Sequence, residues 1–353
     1  MKLLNLRKIE DYKNYIPECS SIFVIIDNNL NPFFKYFAEY HLIKIDASES
    51  CKTMDTVLEI SQELLECGAD RNSFIIGVGG GIVTDIVGFT ASIYKRGVRF
   101  GFVPTTLLAQ VDASIGGKNG VNFHNYKNIL GVIRQPEVVF ICSDFLKTLP
   151  LRVLNSGVAE ALKTFILFDA VMYEKTVDYF SKVNQSGSLH EIELLGKIIT
   201  KCAEYKQAVV ERDEFERGER RLLNLGHSFG HAVEKHCTAM AEIDRNAYIS
   251  HGEAVSIGMV IAAQLAAIAS KTSNTNNTTN RNFVDKLIAD LRSVGLPTEL
   301  PSFLKMDNLM EAVTKDKKVI GNYINFILPY DLENIEDRRI DLKELENIVD
   351  ELC

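Results

Sequence analysis

Ser21-Ile22-Phe23-Val24-Ile25-Ile26-Asp27 is apolar at every interior position and closes on an acidic residue. A strand with one face in water alternates polar and apolar residues, so a run without alternation needs cover on both faces. A parallel sheet with helices on either side provides that cover, and the neighbouring residues supply the parts. Leu42-Ile43-Lys44-Ile45 reads as a second strand. Met54 to Cys67 carries Val57, Leu58, Ile60, Leu64 and Leu65 at helical spacing, with Gly68 as a stop signal. Phe74-Ile75-Ile76-Gly77-Val78 is a third strand and runs straight into Gly79-Gly80-Gly81. Strands separated by helices predict βαβ units in a doubly wound α/β sheet.

After Pro150 the pattern changes. Val153 to Leu167, Ile192 to Glu211, Asn224 to Lys235, Glu253 to Ser270 and Asn282 to Val294 are long amphipathic stretches. At 353 residues the chain exceeds one ordinary core and suits two domains, an α/β domain over 1–150 and a mainly helical, all-α domain over 151–353. Ala254 to Ser270 is the most apolar of the later stretches, yet it contains Ser256, Gly258 and Gln264 and is short for a membrane span. It reads as a buried core helix, with no membrane partner. Thr272 to Arg281 is polar and of low complexity and reads as a surface loop. Met1 to Lys8 turns charged before an apolar leader core can form. Seven cysteines without a Cys-x-x-Cys pair read as reduced thiols in a cytoplasmic protein. A net charge of −8 argues against general nucleic-acid binding.

Two segments carry chemistry. Gly79-Gly80-Gly81 lies between a strand and an apolar helix starting near Ile82, with Asp85 one turn in. Glycines there let backbone approach a phosphate, and the free N–H groups of the helix start complement its charge. They also suit a bare strand-to-helix turn, and their spacing is not Gly-x-Gly-x-x-Gly, so they do not specify a dinucleotide. The second segment runs from Arg220 to Glu234. His227 and His231 are four apart and share a helix face, and His251-Gly252-Glu253 follows downstream. A histidine pair at this spacing plus a third histidine is a usual way to hold a divalent metal and leave a position open for substrate. A buried structural pair would explain His227 and His231 alone, but Arg220, Asn224 and His251 add more polar groups than a core needs.

With these pieces in order, the chain resembles the 3-dehydroquinate synthases, sugar-phosphate cyclases of the shikimate route. The segments that carry the resemblance are GGGIVTDIVGF (79–89), YKRGVRF (94–100), VPTTLLAQVDASIGGKNGVN (103–122), KNILG (127–131), GVAEALK (157–163), RRLLNLGHSFGHAVE (220–234), HGEAV (251–255) and DKKV (316–319). The resemblance implies an N-terminal nucleotide domain and a C-terminal helical domain that binds metal and substrate, with the active site between them. It implies NAD and a divalent cation, zinc or cobalt, the latter held by Glu160, His227 and His251. Substrate contacts are implied at Asp112, Lys118, Asn128, Lys163, Lys206, Arg220, Asn224, His231 and the Lys317-Lys318 pair. Arg96 matches an arginine that reaches the substrate phosphate from the neighbouring subunit, which implies a homodimer. Nucleotide contacts are implied at Glu49, Lys52, Gly79, Gly80, Gly81, Asp85, Thr105, Thr106, Leu108, Lys118, Lys127, Phe145, Thr148 and Leu149. Without the family, Glu160 and Lys163 would read as a surface ion pair and Arg96 as a loop arginine. Thr84, Asn119 and Arg152 depart from the family pattern, where glycine, threonine and glutamine are common.

The implied substrate, 3-deoxy-D-arabino-heptulosonate 7-phosphate, is anionic at both ends. Lys118, Lys206, Arg220, Lys317 and Lys318 supply cations within an acidic protein, with Arg220 suited to grip a carboxylate in bidentate fashion. In the family reaction NAD oxidises a ring hydroxyl, which acidifies the neighbouring C–H. Phosphate is eliminated, NADH returns its hydride, and ring opening followed by aldol closure gives 3-dehydroquinate. The metal polarises the hydroxyl as a Lewis acid. Either His231 or the departing phosphate serves as the base. A metal-dependent polyol dehydrogenase would need no such cationic cradle. Another sugar-phosphate cyclase, making an amino- or deoxy-cyclitol, is the alternative, over which the Asp112 to Lys118 stretch and the Arg220/Asn224 set favour dehydroquinate formation; a suitable residue at every expected position weighs against a silent scaffold.

Overall fold

The computed structural model describes residues 1–124, 126–272, 281–314 and 321–351, so Lys317, Lys318 and the polar stretch 273–280 lie outside the described residues. The N-terminal part runs through β1 (Lys2–Asn5), β2 (Ile22–Asp27), β3 (His41–Ile45), α1 (Met54–Glu66), β4 (Phe74–Gly79), α2 (Gly81–Ile93) and β5 (Arg99–Pro104). An antiparallel hairpin of β6 (Lys118–Phe123) and β7 (Tyr126–Ile133) follows, then β8 (Val138–Ile141).

Six strands form one sheet in the order β1-β8-β5-β4-β2-β3, and its pairings are parallel. Val24, Ile25, Ile26, Phe74, Ile75 and Ile76 are fully buried, as runs without alternation require. From β2 the chain adds β3 on one side and β4 on the other, so the topological switch falls between β2 and β4. Ligands of such sheets bind beyond the carboxyl ends of the strands at a switch point, and the Gly79 turn ends β4 there. β5 and β8 pair at Gly101 and Phe102. Beyond that pairing the Gln110 amide donates to Pro104 O at 3.0 Å and Cys142 O at 2.8 Å and bridges the two strand ends. Gln110 lies in a π-helical turn, Ala109–Ala113, that also carries Asp112. Such turns recur at functional sites.

After Pro150 come α3 (Leu151–Phe168), α4 (Ala170–Ser186), α5 (Ile192–Arg212), α6 (His227–Ala241), α7 (His251–Thr272), α8 (Arg281–Ser293) and α9 (Met306–Thr314). The chain ends with β9 (Tyr323–Asp331), β10 (Asn334–Asp341) and α10 (Leu342–Asp350). By compactness it divides into one unit of Met1–Pro150 with Glu191–Phe215 and another of Leu151–His190 with Glu216–Cys353. Pro150 is where the chain first leaves the sheet unit, and α5 returns to it.

The second unit is largely helical rather than all-α, because β9 and β10 form an antiparallel hairpin. Its core joins Phe229 and Val233 of α6, Ile257 and Ile261 of α7, Phe326 and Leu328 of β9 and Ile348 of α10. The window His251–Ser270 of α7 is long and apolar enough to cross a membrane, longer than the stretch read from the sequence, yet 83% of it is buried inside the unit. It is a core helix.

Candidate active site

α3 is apolar almost all round, and Leu154 to Leu167 are buried along it, including Glu160 and Lys163. Glu160 is fully buried and Lys163 is 2% exposed, so the pair is a core feature and not a surface one. Lys163 Nζ lies against Glu160 Oε2. The N-terminus of α7 presses on α3, where Gly252 N donates to Ser156 Oγ at 3.0 Å. A Cβ on Gly252 would stand 2.1 Å from the Ser156 carbonyl oxygen, so only glycine permits this approach. The approach sets His251 beside Glu160, and α6 brings His227 to the same oxygen.

His251 Nε2 and His227 Nε2 lie 3.3 and 3.5 Å from Glu160 Oε1. Their other nitrogens are engaged elsewhere. His227 Nδ1 is 3.1 Å from the Leu225 carbonyl, and His251 Nδ1 is 3.3 Å from Glu234 Oε2. A carbonyl oxygen only accepts, so His227 carries its proton on Nδ1 and turns a lone pair on Nε2 toward Glu160. His231 stacks edge-on to His227, with ring centroids 5.2 Å apart, and is exposed.

Burial penalises charge throughout this cluster. For Glu160 it pushes upward, but the Lys163 ammonium and the His251 contact outweigh it and hold the carboxyl well below its usual range. For His251 it opposes protonation, yet the Glu160 and Glu234 carboxylates prevail and lift the imidazole to about 10. His227 is held well below its ordinary value, first by burial and then by the charges of Lys163, His231 and His251. The cluster therefore keeps Glu160 as a carboxylate and His227 as neutral imidazole, the forms that ligate a cation, and His251 must release a proton to join them.

A divalent cation fits these residues. Neither oxygen of Glu160 has a well-formed hydrogen bond despite full burial: Oε2 has the Lys163 ion pair, and Oε1 faces the two imidazoles, where a ligated ion would satisfy it. The three donor atoms lie within 4.8 Å of one another. Ligands about 2.1 Å from a tetrahedral zinc stand about 3.4 Å apart, close to the spacing seen here. One carboxylate and two imidazoles leave a fourth position open. In the same unit Arg220 is 2% exposed on the short turn Glu219–Asn224, and Asn224 Nδ2 donates to Glu216 Oε1 at 2.5 Å.

The sheet unit holds the remaining described residues of the expected set. A Cβ on Gly79 would stand 2.4 Å from the Val83 side chain, so the turn into α2 requires glycine, and Thr106 packs against Gly80. Thr105 N donates to Gly79 O at 2.9 Å. Lys52, 5% exposed, pairs with Asp85 and donates to Asn128 Oδ1 at 2.5 Å. Burial pushes the Asp85 carboxyl up to about 6, against the pull of Lys52. Lys206 on α5 donates to Asp112 Oδ1 at 2.6 Å and to the Asp112 carbonyl at 2.7 Å. Phe145 serves the core, its ring 4.8 Å from that of Phe33. The Thr148 hydroxyl donates to its carbonyl, and Leu149 N to Leu146 O. Leu108 is half-buried at the start of the π turn, while Arg96, Lys118 and Lys127 are exposed.

Two residues outside the expected set tie it together. Asn122 Nδ2 donates to Glu49 Oε1 at 2.8 Å while its Oδ1 accepts from Asn128 N at 2.9 Å. Glu234, already met at His251, lies seven residues after His227 on one face of α6, a spacing that marks it in the sequence. The three departures are locally accommodated. Asn119 donates to Gly117 O and Arg134 O, Thr84 donates to Gly81 O, and Arg152 grips Glu253 with two bonds of 2.8 and 2.9 Å.

The family model described as 3-dehydroquinate synthase N-terminal matches residues 42–156, and the one described as 3-dehydroquinate synthase C-terminal matches residues 157–319. The 3-dehydroquinate synthase of Alkaliphilus metalliredigens (strain QYMF) is 37% identical over 343 residues, covering 94% of this chain and 90% of its own. That of Pyrococcus furiosus is 40% identical over 308 residues, covering 86% and 83%. Among solved structures, 2-epi-5-epi-valiolone synthase from Streptomyces hygroscopicus subsp. jinggangensis 5008, with NAD+ and Zn2+ bound, superposes with a TM-score of 0.85 at 26% identity, covering 99% of this chain and 96% of that one. Matched along both halves and sharing these relatives nearly end to end, the chain belongs to the 3-dehydroquinate synthase family.

Proposed function

We propose that the chain converts 3-deoxy-D-arabino-heptulosonate 7-phosphate into 3-dehydroquinate and phosphate, as a phosphorus–oxygen lyase with catalytic NAD and zinc or cobalt. The observation that carries this reading is the Glu160, His227 and His251 cluster, with Lys163 against its carboxylate and His231 against its imidazoles, in a chain of this family. Glu160, His227 and His251 would hold the cation, which when bound polarises a ring hydroxyl as a Lewis acid. The Gly79 to Gly81 turn, Lys52 and Asp85 would hold NAD, whose contribution is to take a hydride and give it back.

The other residues bind, orient and move protons. Arg220 is buried and suits a bidentate grip on the substrate carboxylate. Lys206 is oriented by two bonds to Asp112 and offers a point charge. His231 is exposed beside His227 and suits proton exchange with a bound hydroxyl. The reading also takes the protein to be cytoplasmic, in keeping with the free state of Cys19, Cys51, Cys67, Cys142, Cys202 and Cys237.

Purified protein given the heptulosonate phosphate, NAD and zinc should release phosphate with no accumulation of reduced nicotinamide. Persistent NADH formed one-for-one with phosphate would instead mark a dehydrogenase. The assembly proposed is a homodimer in which Arg96, exposed on the turn Tyr94–Arg96, serves the phosphate bound by the partner subunit. Mixing Arg96→Ala subunits with Lys118→Ala subunits should then restore activity, because one site per heterodimer regains both cations. No recovery after confirmed subunit exchange would confine Arg96 to its own chain.

A further inference from the structure

One acidic side chain outside the candidate ligands, Glu234, touches the metal cluster through His251. Glu234 stands on the same stripe of α6 as His227 and His231, at positions i, i+4 and i+7. Its Oε2 lies 3.3 Å from His251 Nδ1, on the side of the ring away from Glu160. The two ligand histidines are thus braced differently. His227 leans on a backbone carbonyl, fixed by the fold, whereas His251 leans on a side chain from another helix.

We propose that Glu234 is a positioning residue of the metal centre, which fixes the Nδ1–H tautomer and the ring orientation of His251 so that Nε2 is presented to the cation. This rests on the reading that Glu160, His227 and His251 bind a divalent metal. The physical argument is one of donors and acceptors. A carboxylate only accepts, so across from it a neutral imidazole carries its proton on Nδ1 and its lone pair on Nε2, where the cation sits. His251 must shed one proton to ligate, and with Glu234 accepting from Nδ1 the proton that leaves is the one on Nε2. The second negative charge also helps offset Lys163, whose ammonium lies against Glu160 and repels an incoming cation. Outer partners of this kind set ligand basicity as well as geometry, and their loss typically costs about 10–100-fold in metal affinity.

The test is a competition titration of the full-length chain with Zn2+ against a chromophoric chelator, for the parent, Glu234→Ala, Glu234→Gln and His251→Ala. Glu234→Ala is expected to bind zinc about 10–100-fold more weakly, with the metal-free protein still folded and melting lower only by the loss of its contact with His251. Glu234→Gln is also expected to weaken binding, because its amide can donate to Nδ1 and so favour the tautomer that cannot ligate. In the Co2+-loaded parent the His251 Nδ1 proton should give a slowly exchanging, paramagnetically shifted NMR line that broadens or vanishes in Glu234→Ala, a signature that a purely structural glutamate would not move. His251→Ala separates the two levels of the argument. Parent-like zinc affinity in His251→Ala would overturn the metal-site reading itself. Weakened zinc in His251→Ala with parent-like zinc and an unchanged Co2+ spectrum in Glu234→Ala would overturn the role of Glu234 alone.

Discussion

Asp85 and Lys52 meet beside the glycine turn, with Asp85 held up to about 6 by burial. The ordinary value is about 3.9, so the folded chain holds this proton more tightly than the unfolded one. The resulting stability is complete below about pH 4 and is lost as pH rises through 6, by at most about 3 kcal/mol. Asp85→Asn cannot titrate. Relative to the parent it should therefore gain unfolding free energy between pH 4 and pH 7 in urea titrations, whereas parallel pH profiles would show that Asp85 is not raised. At this scale the sequence was informative about residue types and poor about surroundings. Glu160 and Lys163 at i and i+3 suit an exposed ion pair as well as a buried one, and it is the apolar residues around α3 that decide for burial. Asn122 left no signal, because Glu49 is 73 residues away in sequence and Asn128 comes close only through the β6–β7 hairpin.

Elements, not loops, position the candidate metal ligands. α3 supplies the carboxylate, and α6 and α7 each supply an imidazole from their first residue. The contact of α7 with α3 rests on Gly252, whose missing side chain leaves room for the Ser156 carbonyl. Backbone cannot yield as a flexible side chain does, so Gly252→Ala should cost about 3 kcal/mol, the upper end of ordinary overpacking. It should also shift His251 from Glu160. A lowered melting temperature together with weakened zinc binding checks this, and a variant with parent-like values of both would contradict it. Strands β2, β3 and β4 and most helices were legible because their patterns are strong, whereas β5 and β8, also buried, were not read. The β9–β10 hairpin was not, since β10 reads Asn-Ile-Glu-Asp-Arg-Arg-Ile-Asp and its charged residues hide the strand. Hydropathy has little to say about an edge whose partner carries the apolar side.

On the scale of the whole molecule, the candidate site residues are divided between two compact units. The sheet unit carries the glycine turn, the Lys52–Asp85 pair and the Lys206–Asp112 pair, and the helical unit carries the metal cluster with Arg220. α5 reads in the sequence as one more helix of the second half, yet it belongs to the sheet unit, because amphipathicity reports that a face is buried and not against what. The central claim is that one active site takes a hydride and returns it to the same substrate molecule. Substrate carrying deuterium on the carbon that NAD oxidises tests this most directly, with product and nicotinamide analysed by mass spectrometry after many turnovers in excess unlabelled NAD. The account predicts one deuterium retained in each 3-dehydroquinate and none accumulating in the nicotinamide pool. Product without deuterium, or label accumulating in NADH in step with phosphate, would contradict it.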